Sequence, residues 1–325
     1  MRPDMARTSV EPRSTIVAVC GSAASGAVPL ARSLVGTPGL FLVGDVRKMW
    51  SRGARENRLC ACGRPFLECS FWKEVGDEAF GGWSRLDADR LDTLSAKIHS
   101  SGSSVRLLSR IQEQAFVEYG NYVNRLVDSV VALTGARSIV CYAKNAFEGF
   151  VLGRLADAPV RWVHVVRDPR EVAWLWTIGT VEMKPNQWLP RTTAGIVRGW
   201  CRYNLIPPVL SRLGEIAYMR VRFEDFARDP QRTIARVQGF VRPGERPSAA
   251  SIEDHSLIVL DRVTGPCRLV ELEHREQNGS AGWFPADRRW QQELPPTARA
   301  AISLATFPMR AAFGYLAPLG LTRPA

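Results

Sequence analysis

The sequence predicts an α/β fold, three layers built around a mostly parallel central sheet. Two observations carry that prediction. Short β-branched runs, Thr15 to Cys20 and Val160 to Val166 above all, read as strands buried on both faces. Stretches of helical spacing alternate with them, which is the pattern of a covered parallel sheet. A third observation permits it. Over 325 residues, 46% are hydrophobic and 23% charged, an ordinary globular composition with enough apolar material for a sizeable core.

Residues 1–13 are polar, contain Pro3 and Pro12 and show no period, so a disordered leader is expected. The first strand, Thr15 to Cys20, feeds Gly21-Ser-Ala-Ala-Ser-Gly26 and then a helix over Val28 to Leu34, with Pro29 in its first turn. Leu40 to Val43 reads as the second strand. From Asp87 to Thr134 the apolar spacing is helical, through Leu107, Ile111, Phe116, Tyr119, Val123 and Leu126. Strands return at Arg137 to Cys141 and Val160 to Val166, and a helix follows from Pro169 to about Thr177. Tyr218 to Phe223 is the last strand, and Asp229-Pro230 opens a helix to about Phe240. Periodicity fades over about 243–285, where Gly265-Pro266 and Asn278-Gly279 mark turns, and this is the lid-like segment of the chain. Helical character resumes from Pro296 to Leu316, giving one expected domain over 14–318.

The 43 Lys and Arg against 32 Asp and Glu leave a net charge of +11, and Lys48, Lys73, Lys97, Lys144 and Lys184 are the only lysines. Arginine holds phosphate or sulfate in a planar fork, although an excess of arginine also arises from composition alone. No dense basic run with interleaved aromatics is present, which argues against nucleic acid. No run approaches the ~18 apolar residues of a membrane helix, and the Thr15 to Cys20 run is too short for a signal-peptide core. Seven cysteines, an odd number at low density, read as a reducing compartment, and a cytoplasmic location is expected.

Strand, Gly21-x-x-x-x-Gly26, helix is the scaffold of a phosphate-binding loop, with Gly21, Ser22, Ser25 and Gly26 as candidate contacts. The Lys and hydroxyl residue that complete a nucleotide loop are replaced by Ala27 and Val28, so a plain strand-to-helix turn stays open as a reading. Arg167, at the carboxyl end of the later strand, sits where open α/β sheets bind ligands; Asp168 and Pro169 read as the start of the next helix. Lys144 and Glu148 are candidate catalytic groups, able to pair if a helix starts there. His164, inside an apolar strand, reads as a satisfied core histidine, whereas His255 and His274 fall in the irregular segment. Trp174, Trp176, Trp188 and Trp200 with Tyr203 line either a pocket or the core. Cys60, Cys62 and Cys69 invite a zinc reading, but a structural site takes four ligands and no histidine is near; a hairpin without metal is expected.

Several segments together resemble a bacterial sulfotransferase family. They are Gly44-Asp-Val-Arg-Lys-Met-Trp50, Glu56-Asn-Arg-Leu-Cys-Ala-Cys-Gly63, Cys69-Ser-Phe-Trp72, Val165-Val-Arg-Asp-Pro-Arg170, Trp200-Cys-Arg-Tyr-Asn204, Val221-Arg-Phe-Glu-Asp225, Asp287-Arg-Arg-Trp290 and Phe313-Gly-Tyr315. The resemblance runs from about Thr15 to Leu316. It implies a P-loop-like sheet, the sulfotransferase fold, that binds 3′-phosphoadenosine 5′-phosphosulfate and passes its sulfo group to a hydroxyl or amine without a metal.

Carried over position by position, the resemblance implies that Arg167 holds the 3′-phosphate and that Arg268 reaches it from the lid. Its serine partner falls on Leu175, the loop cation on Ala24, and the trailing hydroxyls on Ala27 and Val28. Lys144 is kept while the neighbouring histidine is Asn145, and the tyrosine near the adenine is Phe223. Charge-assisted hydrogen bonds contribute about 1.5–3 kcal/mol each, so losing three or four weakens donor binding by roughly three or more powers of ten. Three readings of function therefore remain open. The chain is an enzyme repurposed for non-redox acid/base chemistry on a small organic molecule, with no cofactor; a sulfotransferase with a rearranged donor site; or a non-catalytic binding protein. The sequence leaves the oligomeric state open.

Overall fold

The structure, a computed structural model, describes residues 14–22, 24–34, 37–60, 62–100, 114–143, 146–177, 192–244 and 289–316. The expected leader over 1–13 and the lid-like segment beyond Gly244 lie outside these residues. In chain order the elements are β1 (Thr15–Gly21), α1 (Ala27–Ser33), β2 (Leu40–Gly44), α2 (Val46–Lys48), a π-helical turn (Met49–Arg55), α3 (Ser70–Phe80) and α4 (Ala88–Ser100). Then follow α5 (Gln114–Thr134), β3 (Ser138–Ala143), α6 (Ala146–Leu155), β4 (Val160–Val166), α7 (Pro169–Thr177), α8 (Thr193–Leu213) and β5 (Ala217–Arg222). The chain closes with α9 (Phe223–Arg228), α10 (Pro230–Val241), α11 (Trp290–Glu293), α12 (Pro296–Ala305) and α13 (Phe307–Ala312).

The strands form one five-stranded sheet in the order β2-β3-β1-β4-β5, every pair parallel. Alternation along β1 divides the core. Ile16, Ala18 and Cys20 face one layer with Trp162 and the helices α3, α5 and α6, whereas Val17 and Val19 face the other with α1, α9 and α10. Both faces are thus covered, which is why the strands read as continuous apolar runs. From β1 the chain moves to one side of the sheet for β2 and β3, then crosses to the other side for β4 and β5. That reversal at β1 is the switch point where open parallel sheets form a crevice beyond the carboxyl ends of their strands.

Among the elements the sequence reading does not anticipate is α8, which runs through Pro207 and Pro208. Each proline removes an N–H donor and normally breaks a helix. Here the turn before them is fixed by burial: Trp200 and Asn204 are buried, and Asn204 Nδ2 donates to the Trp200 carbonyl at 2.7 Å.

Candidate functional site

The loop after β1 is a tight strand-to-helix turn. Gly21 pairs with Val165 of β4, and a Cβ there would lie 2.7 Å from the Val165 carbonyl oxygen. Gly26 caps α1 at φ 88°, with the Phe223 ring where a side chain would go. Between them Ala24 stands at φ 64°, an unusual conformation for a residue with a Cβ. The Ser25 amide donates to the Ser22 carbonyl at 3.0 Å and the Ala27 amide to Ser25 Oγ at 3.3 Å, closing the turn on itself.

Arg167 arrives from the end of β4 directly beneath this loop, as its position predicts, and is only 4% exposed. The anion it touches is protein. One guanidinium nitrogen lies 2.6 Å from Glu171 Oε1, the other donates to the Ala24 carbonyl at 3.1 Å, and the guanidinium lies over the Phe223 ring, 4.1 Å from its centroid. Trp200 Nε1 donates to the Arg167 carbonyl at 2.9 Å and fixes the backbone. Among the described residues, Arg167 Nε and Ser22 Oγ are both buried without a hydrogen-bond partner.

The positions that the resemblance assigns to lost donors converge on apolar packing. Leu175 is buried with Trp174 and Trp290, and Ala24 packs against the same cluster. The tryptophans do not form a single pocket lining. Trp174 belongs to this cluster, Trp200 is buried in another with Phe313, Tyr315 and the partly buried Trp176, and Tyr203 is exposed. Trp188 lies outside the described residues.

A second polar group, which the sequence reading passed over, lies at the ends of β4 and β5. Asp168 accepts the Arg170 amide and binds the Arg170 guanidinium through both oxygens, at 2.9 and 2.6 Å. Glu224 accepts the Asp168 amide at 2.7 Å on Oε1 and the Tyr315 hydroxyl at 3.0 Å on Oε2. Burial pushes the Glu224 carboxyl up to about 7, against the hydrogen bonds from the Asp168 amide, its own amide and the Tyr315 hydroxyl that favour its ionised form. Asp168 therefore does the capping expected of it, and the missed signal for Glu224 and Tyr315 was their presence in two of the segments carrying the resemblance. For Glu171 the signal was its spacing of four residues from Arg167.

His164 is the satisfied core histidine expected: Nε2 lies 3.1 Å from Asn204 Oδ1 and Nδ1 2.9 Å from the Tyr218 hydroxyl. The Asn204 amide nitrogen is spent on Trp200, so His164 donates from Nε2 and accepts at Nδ1, and burial pushes its pKa down to about 3. Among the other candidates, Lys144, Asn145, Arg268, His255 and His274 lie outside the described residues. Glu148 falls within α6, which begins at Ala146. The spacing of Cys60, Cys62 and Cys69 in sequence did not require their convergence, yet their sulfurs all lie within 4.8 Å of one another. No helix of the described residues is long and apolar enough to cross a membrane.

No family model matches the sequence, and no curated protein matches it. Among solved structures, the sulfotransferase domain from the Synechococcus PCC 7002 olefin synthase is similar over 95% of this chain and 97% of that chain, at 17% identity and a TM-score of 0.50. The sulfotransferase domain from the curacin biosynthetic pathway (14% identity, TM-score 0.47, 95% and 99% covered) and the sulfotransferase STF9 from Mycobacterium avium (13%, 0.44, 93% and 77%) are more distant. The fold is that of a sulfotransferase: a five-stranded parallel sheet between helical layers, with a loop-to-helix turn after its first strand.

Proposed function

We propose that this chain is an enzyme that keeps the sulfotransferase fold but works without the sulfo donor, performing acid/base chemistry on a small organic molecule in the crevice beyond β1, β4 and β5. One observation carries the reading: Arg167, the cation to which the resemblance assigns the donor's 3′-phosphate, is already neutralised by Glu171 at 2.6 Å and buried beneath the loop. A phosphate dianion binding there competes with a buried carboxylate for the same guanidinium, and a buried ion pair with one partner removed costs about 3–5 kcal/mol. The remaining donor set does not fit a phosphosulfate either. Ala24, Ala27 and Val28 stand at the loop's charge-bearing and hydroxyl positions, and Leu175 is packed against apolar side chains. Glu224, titrating near neutrality, supplies a proton acceptor or donor suited to physiological pH. Lys144, which follows β3, and Glu148 are the further acid/base candidates at the neighbouring strand end.

A second reading is favoured by Ser22 Oγ and Arg167 Nε, two buried groups that have no hydrogen-bond partner among the described residues. Unsatisfied buried donors call for a ligand oxygen. A sulfotransferase with a rearranged donor site would supply one, as would a carboxylate or phosphate on another substrate.

Calorimetric titration with 3′-phosphoadenosine 5′-phosphate at low ionic strength separates the two. The expected result is no heat of binding from a protein that still melts cooperatively. Micromolar binding would overturn the proposal and restore sulfo transfer as the leading function.

A further inference from the structure

The segment between the π-helical turn and α3 is a tight hairpin that presents three sulfurs to one point. The Cys60 amide donates to the Arg64 carbonyl at 2.8 Å, Gly63 to the Cys60 carbonyl at 2.9 Å, and Phe66 to the Arg58 carbonyl at 2.9 Å. Leu59 and Pro65 form an antiparallel bridge, and the tip turns at Gly63 with φ 84°. Cys69 follows, its amide donating to Pro65 at 3.0 Å, and it occupies the capping position of α3, where no side-chain hydrogen bond caps the helix. Cys60 and Cys69 are fully buried beside Phe66 and Trp72, whose rings stack 5.1 Å apart, while Cys62 is exposed. The hairpin and the helix end are thus held rigidly with their thiols pointing together.

We infer that Cys60, Cys62 and Cys69 form a three-thiolate zinc site whose fourth position opens to solvent beside Cys62. All three sulfurs lie within 4.8 Å of one another. Tetrahedral zinc with Zn–S near 2.3 Å places its sulfurs about 3.8 Å apart, so binding closes each pair by about 1 Å at most. A disulfide would use two sulfurs and leave the third without purpose; a thiophilic cation uses all three. Three protein ligands suffice because Cys62 is exposed, which lets water or an exogenous ligand complete the shell. Binding converts three thiols and one Zn²⁺ into a zinc tris-thiolate and releases about three protons. None of the three cysteines is on an element that builds the crevice, so the site stands whichever reading of function holds.

The test uses the full-length protein, reduced without oxygen and freed of metal by chelation. Zinc is expected to bind at one equivalent per chain, with about three protons released into weak buffer. Cobalt in its place is expected to show thiolate-to-metal charge transfer and the visible bands of a tetrahedral ion. Cys62→Ser, at an exposed position that leaves the core intact, should weaken zinc roughly a hundredfold or more. Cys62→His should retain binding with the charge-transfer band reduced by about a third, one thiolate of three being gone. A folded, fully reduced protein that takes up no stoichiometric zinc and gives no cobalt charge transfer overturns the site. Zinc affinity unchanged in Cys62→Ser overturns it as well.

Discussion

Replacing Glu171 by glutamine strips the buried Arg167 guanidinium of its counter-charge, with 4% and 2% of the two side chains exposed. The expected cost is about 3–5 kcal/mol in urea unfolding, while Arg167→Met in the Glu171→Gln background should recover part of it, because the pair is coupled. Equal costs in the single and double variants would deny the coupling. Glu224 behaves differently because its shift is upward, from 4.5 to about 7. Below about pH 4.5 both folded and unfolded chains hold the proton. Between there and about pH 7 only the folded chain does, so stability falls as pH rises through this window, by at most about 3 kcal/mol. Urea melts of the wild type should lose stability relative to Glu224→Gln between pH 5 and pH 8; parallel profiles would refute the raised value. The position of Arg167 was legible in the sequence because a strand end is marked by its own residues. Its occupation by Glu171, Ala24 and Phe223 was less so, since only Glu171 is near it in sequence and the other contacts cross the sheet.

At the scale of elements, strands and their following turns were readable because burial on both faces leaves short runs rich in β-branched residues, as β1 shows over Thr15–Gly21. The helix α8 was not, because local propensity condemns Pro207-Pro208 while long-range packing holds the element: Trp200 at its middle reaches the Arg167 carbonyl and Asn204 reaches His164. The loop-to-helix joint at Gly26 combines both kinds of constraint. Its φ of 88° is costly for any residue with a Cβ, by about 1–2 kcal/mol. The Phe223 ring occupies the space a Cβ would take. Gly26→Ala is therefore expected to destabilise the fold by about 2 kcal/mol or more in thermal or urea melts. Gly63→Ala has the same backbone penalty but meets nothing within 4 Å, so its loss should be the smaller. Equal losses at the two glycines would mean that the contact with Phe223 contributes nothing.

Over the whole molecule, the carboxyl-terminal helices close the edge of the sheet where β4 and β5 end. Phe313 packs on Trp200, with ring centroids 5.9 Å apart, and Tyr315 donates to Glu224 while its own backbone carbonyl accepts from the buried Arg310. Arg222 ties the same segment down through the Gly314 carbonyl at 2.7 Å. This closure brings residues about ninety positions apart into one polar group, which is why the sequence located the segments but not their meeting. It also assigns the raised Glu224 value to a tertiary cause that two variants distinguish. Tyr315→Phe keeps the burial and deletes a hydrogen bond that favours the ionised carboxylate, so the pH window of declining stability should extend upward. A chain ending at Ala312 removes Phe313 and Tyr315 together and lets water reach Glu224. Its carboxyl should then return toward 4.5, and the window should shrink from above. Following the Glu224 carboxyl by carbon-detected NMR titration reads both directions. Movement the same way in the two variants would mean that the terminal segment does not set the burial of this carboxylate, and that the closure of the crevice lies elsewhere in the chain.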